Sequence, residues 1–534
     1  MYKVRPVSIL RGLPVLLFFL LLISCSTQNS SRITKSGIAA ITPQLMQKNI
    51  SYIASDSMKG RDTPGPGLDS AAAYIARSFR DMGLSPVNGS YFQSFSMCYK
   101  NLEKDNLLII SGNGVDSSYP IKTGFIPFDI TGNLEVQGEA VFAGYGITAP
   151  EYHYDDYENI DVKGRIVLVF RHEPRENDSS VKVFEGDEPT KYSNLRYKVS
   201  NALAHGAIGM LVVTEPLNYK SIRPRGFPWP SLSKNLPLDA LPVGFCIEKK
   251  DSIPVVHVGE NVIKGCFGSI DSLKVLQHLI DSTLTPLSFL LPGISVRLKT
   301  AVNTIEKYST RNVVGFLEGS DPELKDQLLV VGAHYDHVGF LKEHKADTDY
   351  IFNGADDNAS GTSGVMAVAK GMTSMKIKPK RSILFILFAG EEKGLFGSGY
   401  YVRDPLFPLE NTVAMLNLDM ISRNAPDSLA IIGGLQCPDL AAIIKKENRK
   451  TDMILSMKNM SGGSDHWNFY KKDIPAVFLF SGLHKDYHQV SDNPDRINPQ
   501  KAARVSRLAF LTAWYIANDR NRYKILKVND DSEF

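Results

Sequence analysis

Between residues 328 and 480 the chain repeats one pattern four times: a short run, apolar but for Asn417 in the third, that stops at a loop carrying His, Asp or Glu. The runs are 328–332, 383–388, 413–418 and 476–480. Short segments that are apolar on both alternating faces read as strands buried on both sides, and helical patterns lie between them. The predicted fold is α/β, a sheet covered by helices on both faces. In an open sheet of that kind, ligands gather where loops leave the carboxyl ends of the strands. The first run leads into His334-Tyr335-Asp336-His337, the second into Glu391-Glu392, the third into Asp419, and the fourth through a short loop to Tyr487-His488. A fifth element, Asn353-Gly354-Ala355-Asp356-Asp357-Asn358-Ala359-Ser360-Gly361, stands just ahead of a helical pattern at 365–372.

Each element alone has a structural explanation: a strand-terminal Asp can cap a helix, and adjacent glutamates can solvate a turn. The set as a whole does not, because carboxylates ending apolar strands are costly to bury without a cation. Two imidazoles and three carboxylates form a donor set suited to Zn²⁺, with Mn²⁺ or Co²⁺ as substitutes. Five ligands exceed what one catalytic ion needs. Two ions about 3.5–4 Å apart, sharing one carboxylate and a water, would use them all, and that water would titrate near neutral pH and act as nucleophile.

Composition narrows the partners. Sixty Lys and Arg against 57 Asp and Glu give a formal charge of +3, too little for a nucleic-acid binder. Lys3, Arg5 and Arg11 account for the whole excess. They precede an apolar stretch at 13–23 that is too short to span a bilayer and has the form of a signal-peptide core. The stretch ends in Leu22-Ile23-Ser24-Cys25, which resembles the bacterial lipobox. That resemblance implies removal of residues 1–24, lipid attachment at Cys25 and an exported protein held at the membrane. Five cysteines in 534 residues cannot form a disulfide-dense scaffold. Removal of the signal leaves Cys98, Cys246, Cys266 and Cys437 in an oxidising compartment; only Cys246 and Cys266 are close in sequence, and whether they bridge is left open by the sequence. Helical periodicity occupies 41–85, a strand-rich unit is expected at 126–290, and the Pro-rich stretch 223–242 reads as a long excursion loop with a gating role.

The five motifs, in this order across residues 332–492, resemble peptidase family M28, the co-catalytic zinc exopeptidases. Residues 160–169 and 202–213 resemble the protease-associated (PA) domain inserted in several such enzymes. With the signal peptide at 1–24, the chain then divides into an N-terminal segment of the peptidase domain at 25–125, a PA-like insert at 126–290 and the catalytic domain at 291–525, for which the resemblance implies a mixed twisted sheet sandwiched by helices and a β-rich insert. By motif position, His334, Asp357 and Asp419 would hold one Zn²⁺, and Asp357, Glu392 and His488 the other. Asp336 would orient His334 from behind. Glu391 would serve as general base and then general acid, and Tyr487 would donate to the oxyanion. Ser461-Gly462-Gly463-Ser464-Asp465-His466-Trp467 resembles a family element near the substrate pocket, with Asp465 and His466 lining it. His337, His344 and His484, in polar loops, are expected to be solvated. The implied function is an exported metallo-aminopeptidase acting on peptides. The alternatives are a dizinc carboxypeptidase or dipeptidase and, from another class, a catalytically inactive binding lipoprotein. Glutaminyl cyclisation is disfavoured because it needs no second complete metal site.

Overall fold

The computed structural model describes residues 33–526, apart from 113, 129, 176–183, 185–189, 220–221, 225–239, 247–251 and 342–343. The N-terminal segment with Cys25, and all but the ends of the loop expected at 223–242, lie outside the described residues. The described residues divide into two units, one of residues 33–95 and 309–526, the other within residues 96–308. The insert expected at 126–290 falls inside the second. Among the described residues no helix is long and apolar enough to cross a membrane.

The first unit is built on strands β1 (Val302–Leu317), β2 (Leu328–His334), β3 (Ser382–Phe388), β4 (Thr412–Asp419), β5 (Ser428–Ile432), β6 (Ile454–Lys458) and β7 (Ala476–Phe480). They lie in the order β1-β3-β2-β4-β7-β5-β6. The four central strands run parallel, while β1 and β5 pair antiparallel with their inner neighbours, so the expected mixed sheet is present. Every residue of β2, β3 and β4 is buried, which explains why these strands are apolar on both faces. Register then aligns their ends: His334 pairs with Phe388, Gly332 with Asn417, and Asp419 with Phe480. The polar residues that follow each run therefore emerge at one level.

Helices α1 (Pro43–Ile53), α2 (Pro66–Asp81), α3 (Gly361–Thr373) and α4 (Pro499–Asn518) belong to the same unit. The small residues of α3 have a packing reason. A Cβ on Gly364 would come within 2.8 Å of the Leu418 side chain, and one on Gly371 within 2.9 Å of Phe510 in α4. Larger residues at either position would push α3 off the strand that carries Asp419.

The second unit has an eight-stranded sheet with an inner parallel group, Glu135–Ala143, Ile166–Phe170, Gly209–Val213 and Val255–Val258. Helices Leu195–Ala204, Glu260–Phe267 and Ile270–Thr283 accompany it. One correction to the sequence reading falls here. The disulfide joins Cys98 to Cys246, with Cα atoms 5.1 Å apart, while Cys266 is a free, buried thiol. Strand Ala240–Phe245 runs antiparallel to Phe92–Leu102 and brings Cys246 beside Cys98, whereas Cys266 faces the apolar core from its helix. Nearness in sequence was the wrong guide because pairing across strands sets the Cα separation.

Candidate metal centre

The Asp-Asp-Asn-Ala-Ser-Gly segment enters α3 by stitching itself to the end of β4. Asn358 donates from Nδ2 to the Leu418 carbonyl (3.1 Å), and its Oδ1 accepts from the amides of Gly361 (2.8 Å) and Met420 (3.2 Å). Ser360 Oγ donates to the Asp356 carbonyl and accepts from the Ile421 amide. A side chain at Gly361 would meet the Leu418 carbonyl at 2.1 Å, so glycine is required by this close approach. From the opposite side Asp492 accepts the amides of Asp356 and Asp357 at 3.0 and 3.1 Å.

This scaffold turns the two aspartates in different directions. Asp356 Oδ1 accepts from the amide and hydroxyl of Ser422 (2.8 and 2.6 Å). Asp357 instead divides its carboxylate between two groups of side chains. Its Oδ1 lies 3.4 Å from His334 Nε2, which is also 3.4 Å from Asp419 Oδ2. Its Oδ2 lies 3.1 Å from His488 Nε2, which is 3.0 Å from Glu392 Oε2. The separations suit ligands of one ion: Zn–N and Zn–O bonds of about 2.0–2.1 Å place tetrahedral ligand atoms roughly 3.3 Å apart. Asp357 Oδ2, Asp419 Oδ1 and His488 Nε2 are buried and meet no aligned hydrogen-bond partner among the described residues, as expected of atoms reserved for a cation. His334, Asp357 and Asp419 can hold one divalent ion, and Asp357, Glu392 and His488, with His337 beside them, a second.

The remaining expected residues surround these two sets. Asp336 Oδ1 accepts the Glu391 amide at 3.2 Å and lies 3.6 Å from His334 Nδ1. Glu391 Oε2 is 3.9 Å from His334 Nε2. Tyr487, 36% exposed, stacks on the His488 ring. Ser464 donates to Asp419 Oδ2 at 2.8 Å and accepts from Asn417. Asp465 and His466 are fully buried, and the His466 ring packs on Phe478.

Electrostatics divide the carboxylates. Burial would raise Asp357, but His337, His334 and His488 hold it well below the usual range. Burial and Asp357 push Glu392 upward, yet His488 and His337 keep it at about 2. Burial, then the charges of Glu392, Asp465 and Asp419, raises Glu391 well above an ordinary glutamate. Burial likewise raises Asp465 to about 7. His488, which burial alone would lower, is raised by Glu392 and Asp357 to about 11. The cluster thus holds more carboxylate than its imidazoles can balance, and a divalent cation corrects that.

Two histidines differ from the sequence reading. His337 is completely buried, with Nδ1 2.7 Å from Glu392 Oε1, and His484 is buried with Nε2 3.3 Å from Asp356 Oδ2. Of the three histidines expected to be solvated, His344 alone is exposed, stacked on Tyr350. Polar neighbours in sequence implied solvation, but the loops are covered by segments remote in the chain. The sequence reading also passed over Arg61. It is buried and donates to the carbonyls of Tyr335 (2.9 Å), Ile53 (2.8 Å), Asn353 (2.7 Å) and Gly354 (3.0 Å). No spacing signal marks it.

Residues 312–513 match peptidase family M28, and residues 131–264 match the PA domain. Leucine aminopeptidase 2 of Arthroderma otae is 27% identical over 42% of this chain and 49% of its own length. The glutamate carboxypeptidase 2 homolog of Caenorhabditis elegans is 25% identical over 73% of this chain and 53% of its own length. The chain thus spans about half the length of these curated relatives. The solved aminopeptidase from Aneurinibacillus sp. strain AM-1 has the same fold, with a TM-score of 0.53 at 17% identity, covering 92% of this chain and 96% of that one. Residues 312–513 are thus the part of the chain similar to peptidase family M28, with a segment similar to the PA domain ahead of them.

Proposed function

We propose that the protein is an exported, lipid-anchored metallo-aminopeptidase that removes N-terminal residues from peptides. The observation that carries the reading is the divided carboxylate of Asp357, with one oxygen toward His334 and Asp419 and the other toward His488 and Glu392. In this reading His334, Asp357 and Asp419 hold one Zn²⁺, and Asp357, Glu392 and His488 hold the other. The ions supply a Lewis acid for the scissile carbonyl and lower the pKa of water. Glu391 takes the proton of the attacking water and hands it to the leaving amine. Its upward-shifted carboxyl suits a group that must hold a proton between those two steps. Tyr487 donates its hydroxyl to the carbonyl oxygen as negative charge develops there. Asp336 fixes Glu391 through its amide and backs His334.

Charge favours the amino-terminal polarity over a carboxypeptidase or dipeptidase. The cations flanking the cluster are committed: Arg61 to four carbonyls, Lys393 to Asp62 at 2.7 Å, and Arg423 to Asp486 at 2.6 Å. A substrate carboxylate would lack a free partner among them. The Cys98–Cys246 disulfide supports an oxidising, exported location. The test pairs free and N-acetylated peptides with metal analysis of the wild type and Glu391→Gln. Expected are two ions in both proteins, activity lower by about 10² to 10⁴-fold in the variant, and no cleavage of blocked peptides. Equal cleavage of blocked peptides, or full activity in Glu391→Gln, would refute the reading.

A further inference from the structure

We propose that His337 is a positioning residue for the second metal subsite: its Nδ1–H holds Oε1 of Glu392 so that Oε2 is presented beside His488. The inference rests on the two-ion reading above. The two oxygens of Glu392 have separate neighbours, Oε1 at 2.7 Å from His337 Nδ1 and Oε2 at 3.0 Å from His488 Nε2. The 2.7 Å contact has the length of a charge-assisted hydrogen bond and is shorter than the roughly 3.3 Å between two tetrahedral zinc ligands. His337 Nδ1 is also 3.6 Å from Asp357 Oδ2, farther than His488 is from the same atom at 3.1 Å. His337 therefore stands behind Glu392, in the place a partner occupies when it aims a ligand.

The imidazole is itself fixed. It is fully buried, its ring lies so close to the Gly354 backbone that a Cβ there would approach Cγ and Cδ2 at 2.5 Å, and the His337 amide donates to the Arg61 carbonyl at 3.2 Å. Its Nε2 has no hydrogen-bond partner among the described residues, which fits the tautomer that carries the proton on Nδ1 and leaves only a lone pair unmatched at Nε2. A glutamate free to rotate would lose time in orientations that do not face the site. Pinning Oε1 removes that freedom.

The test uses the two amides that imitate the two ring nitrogens. In His337→Asn the side-chain NH₂ takes the place of Nδ1, whereas in His337→Gln it reaches toward the place of Nε2. Zinc stoichiometry and affinity are measured by competition against a chromophoric chelator, with the visible spectrum of the Co²⁺ forms and the melting temperature of the metal-free proteins alongside. The expected result is two ions in the wild type, a second ion weakened about 10 to 100-fold in His337→Gln with an altered cobalt spectrum, and near wild-type affinity in His337→Asn. Unchanged affinity in His337→Gln would overturn the proposal. So would equal loss of the second ion in both variants, which would make the imidazole a direct ligand. A wild type that binds a single ion would instead overturn the two-ion reading, and this proposal with it.

Discussion

Arg61 offers the sharpest test of how the site is supported. The guanidinium is inaccessible to solvent and donates four hydrogen bonds, 2.7–3.0 Å long, to carbonyls that include the strand end at Tyr335 and the Asn353-Gly354 turn. Hydrogen bonds from a charged donor contribute roughly 1.5–3 kcal/mol each, about 6–12 kcal/mol for the four. Burial opposes them, pulling the Arg61 pKa from 12.5 to about 10 despite the nearby charges of Asp357, Asp336, Asp492 and Glu392. That shift corresponds to a cost of roughly 3 kcal/mol. Water entering the vacated space would satisfy some carbonyls, so Arg61→Met should lose about 3–5 kcal/mol, the usual consequence of removing one side of a buried charged network. Arg61→Lys should fall between, since an ammonium cannot reproduce the planar fork. Unfolding in urea would be followed by fluorescence in a Trp229→Phe background, where the remaining tryptophans, Trp467 and Trp514, both report on the first unit. EDTA keeps metal release from mimicking lost stability. With a urea slope of about 3 kcal/mol/M, the midpoint should fall by about 1–1.7 M. A fall below about 0.3 M with an unchanged slope would refute the reasoning.

Two further outcomes follow from the same physical reading. Cys25→Ser should abolish incorporation of labelled fatty acid and release the protein from membranes into the soluble exported fraction; continued labelling would contradict the lipid-attachment proposal. His466 is held at about 3 by burial, so the unfolded chain binds a proton between pH 6.5 and 3 that the folded protein refuses. The stability from neutral His466 is complete above pH 6.5 and is lost as pH falls, by roughly 5 kcal/mol at the limit. His466→Phe should flatten the acid limb of the stability curve; parallel limbs for variant and wild type would sink the argument.

What the sequence made legible is what its periodicity measures. Runs such as 383–388, apolar on both faces, announced central strands, and the residues after them could be assigned to one end of a sheet because parallel strands share their carboxyl edge. Burial of loop residues was not legible. His337 sits among polar neighbours in sequence, yet the Gly354 backbone and the His488 ring cover it. Arg61 lies between two helices and looks like a surface cation until its carbonyl partners, up to 293 residues away, are known. Local pattern reports how a residue sits on its own element; contacts made by remote segments leave no trace in spacing.

The adjacent aspartates show where motif and geometry each do their part. As residues, Asp356 and Asp357 were equivalent candidates, and only the position before Asn-Ala-Ser-Gly distinguished them. The physical distinction is that Asp356 Oδ1 receives two hydrogen bonds from Ser422, with its Oδ2 3.3 Å from His484, while Asp357 faces His334 through Oδ1 and both His337 and His488 through Oδ2. A carboxylate already occupied by donors stabilises the turn, and one shared among three imidazoles is held ready for a cation. Arg61 and Asp492 keep that second carboxylate in place by binding the backbone around it, Arg61 at the Asn353 and Gly354 carbonyls and Asp492 at the Asp356 and Asp357 amides. The metal centre therefore depends on a cation and an anion that need never touch an ion, and their loss would be felt first as a displaced Asp357.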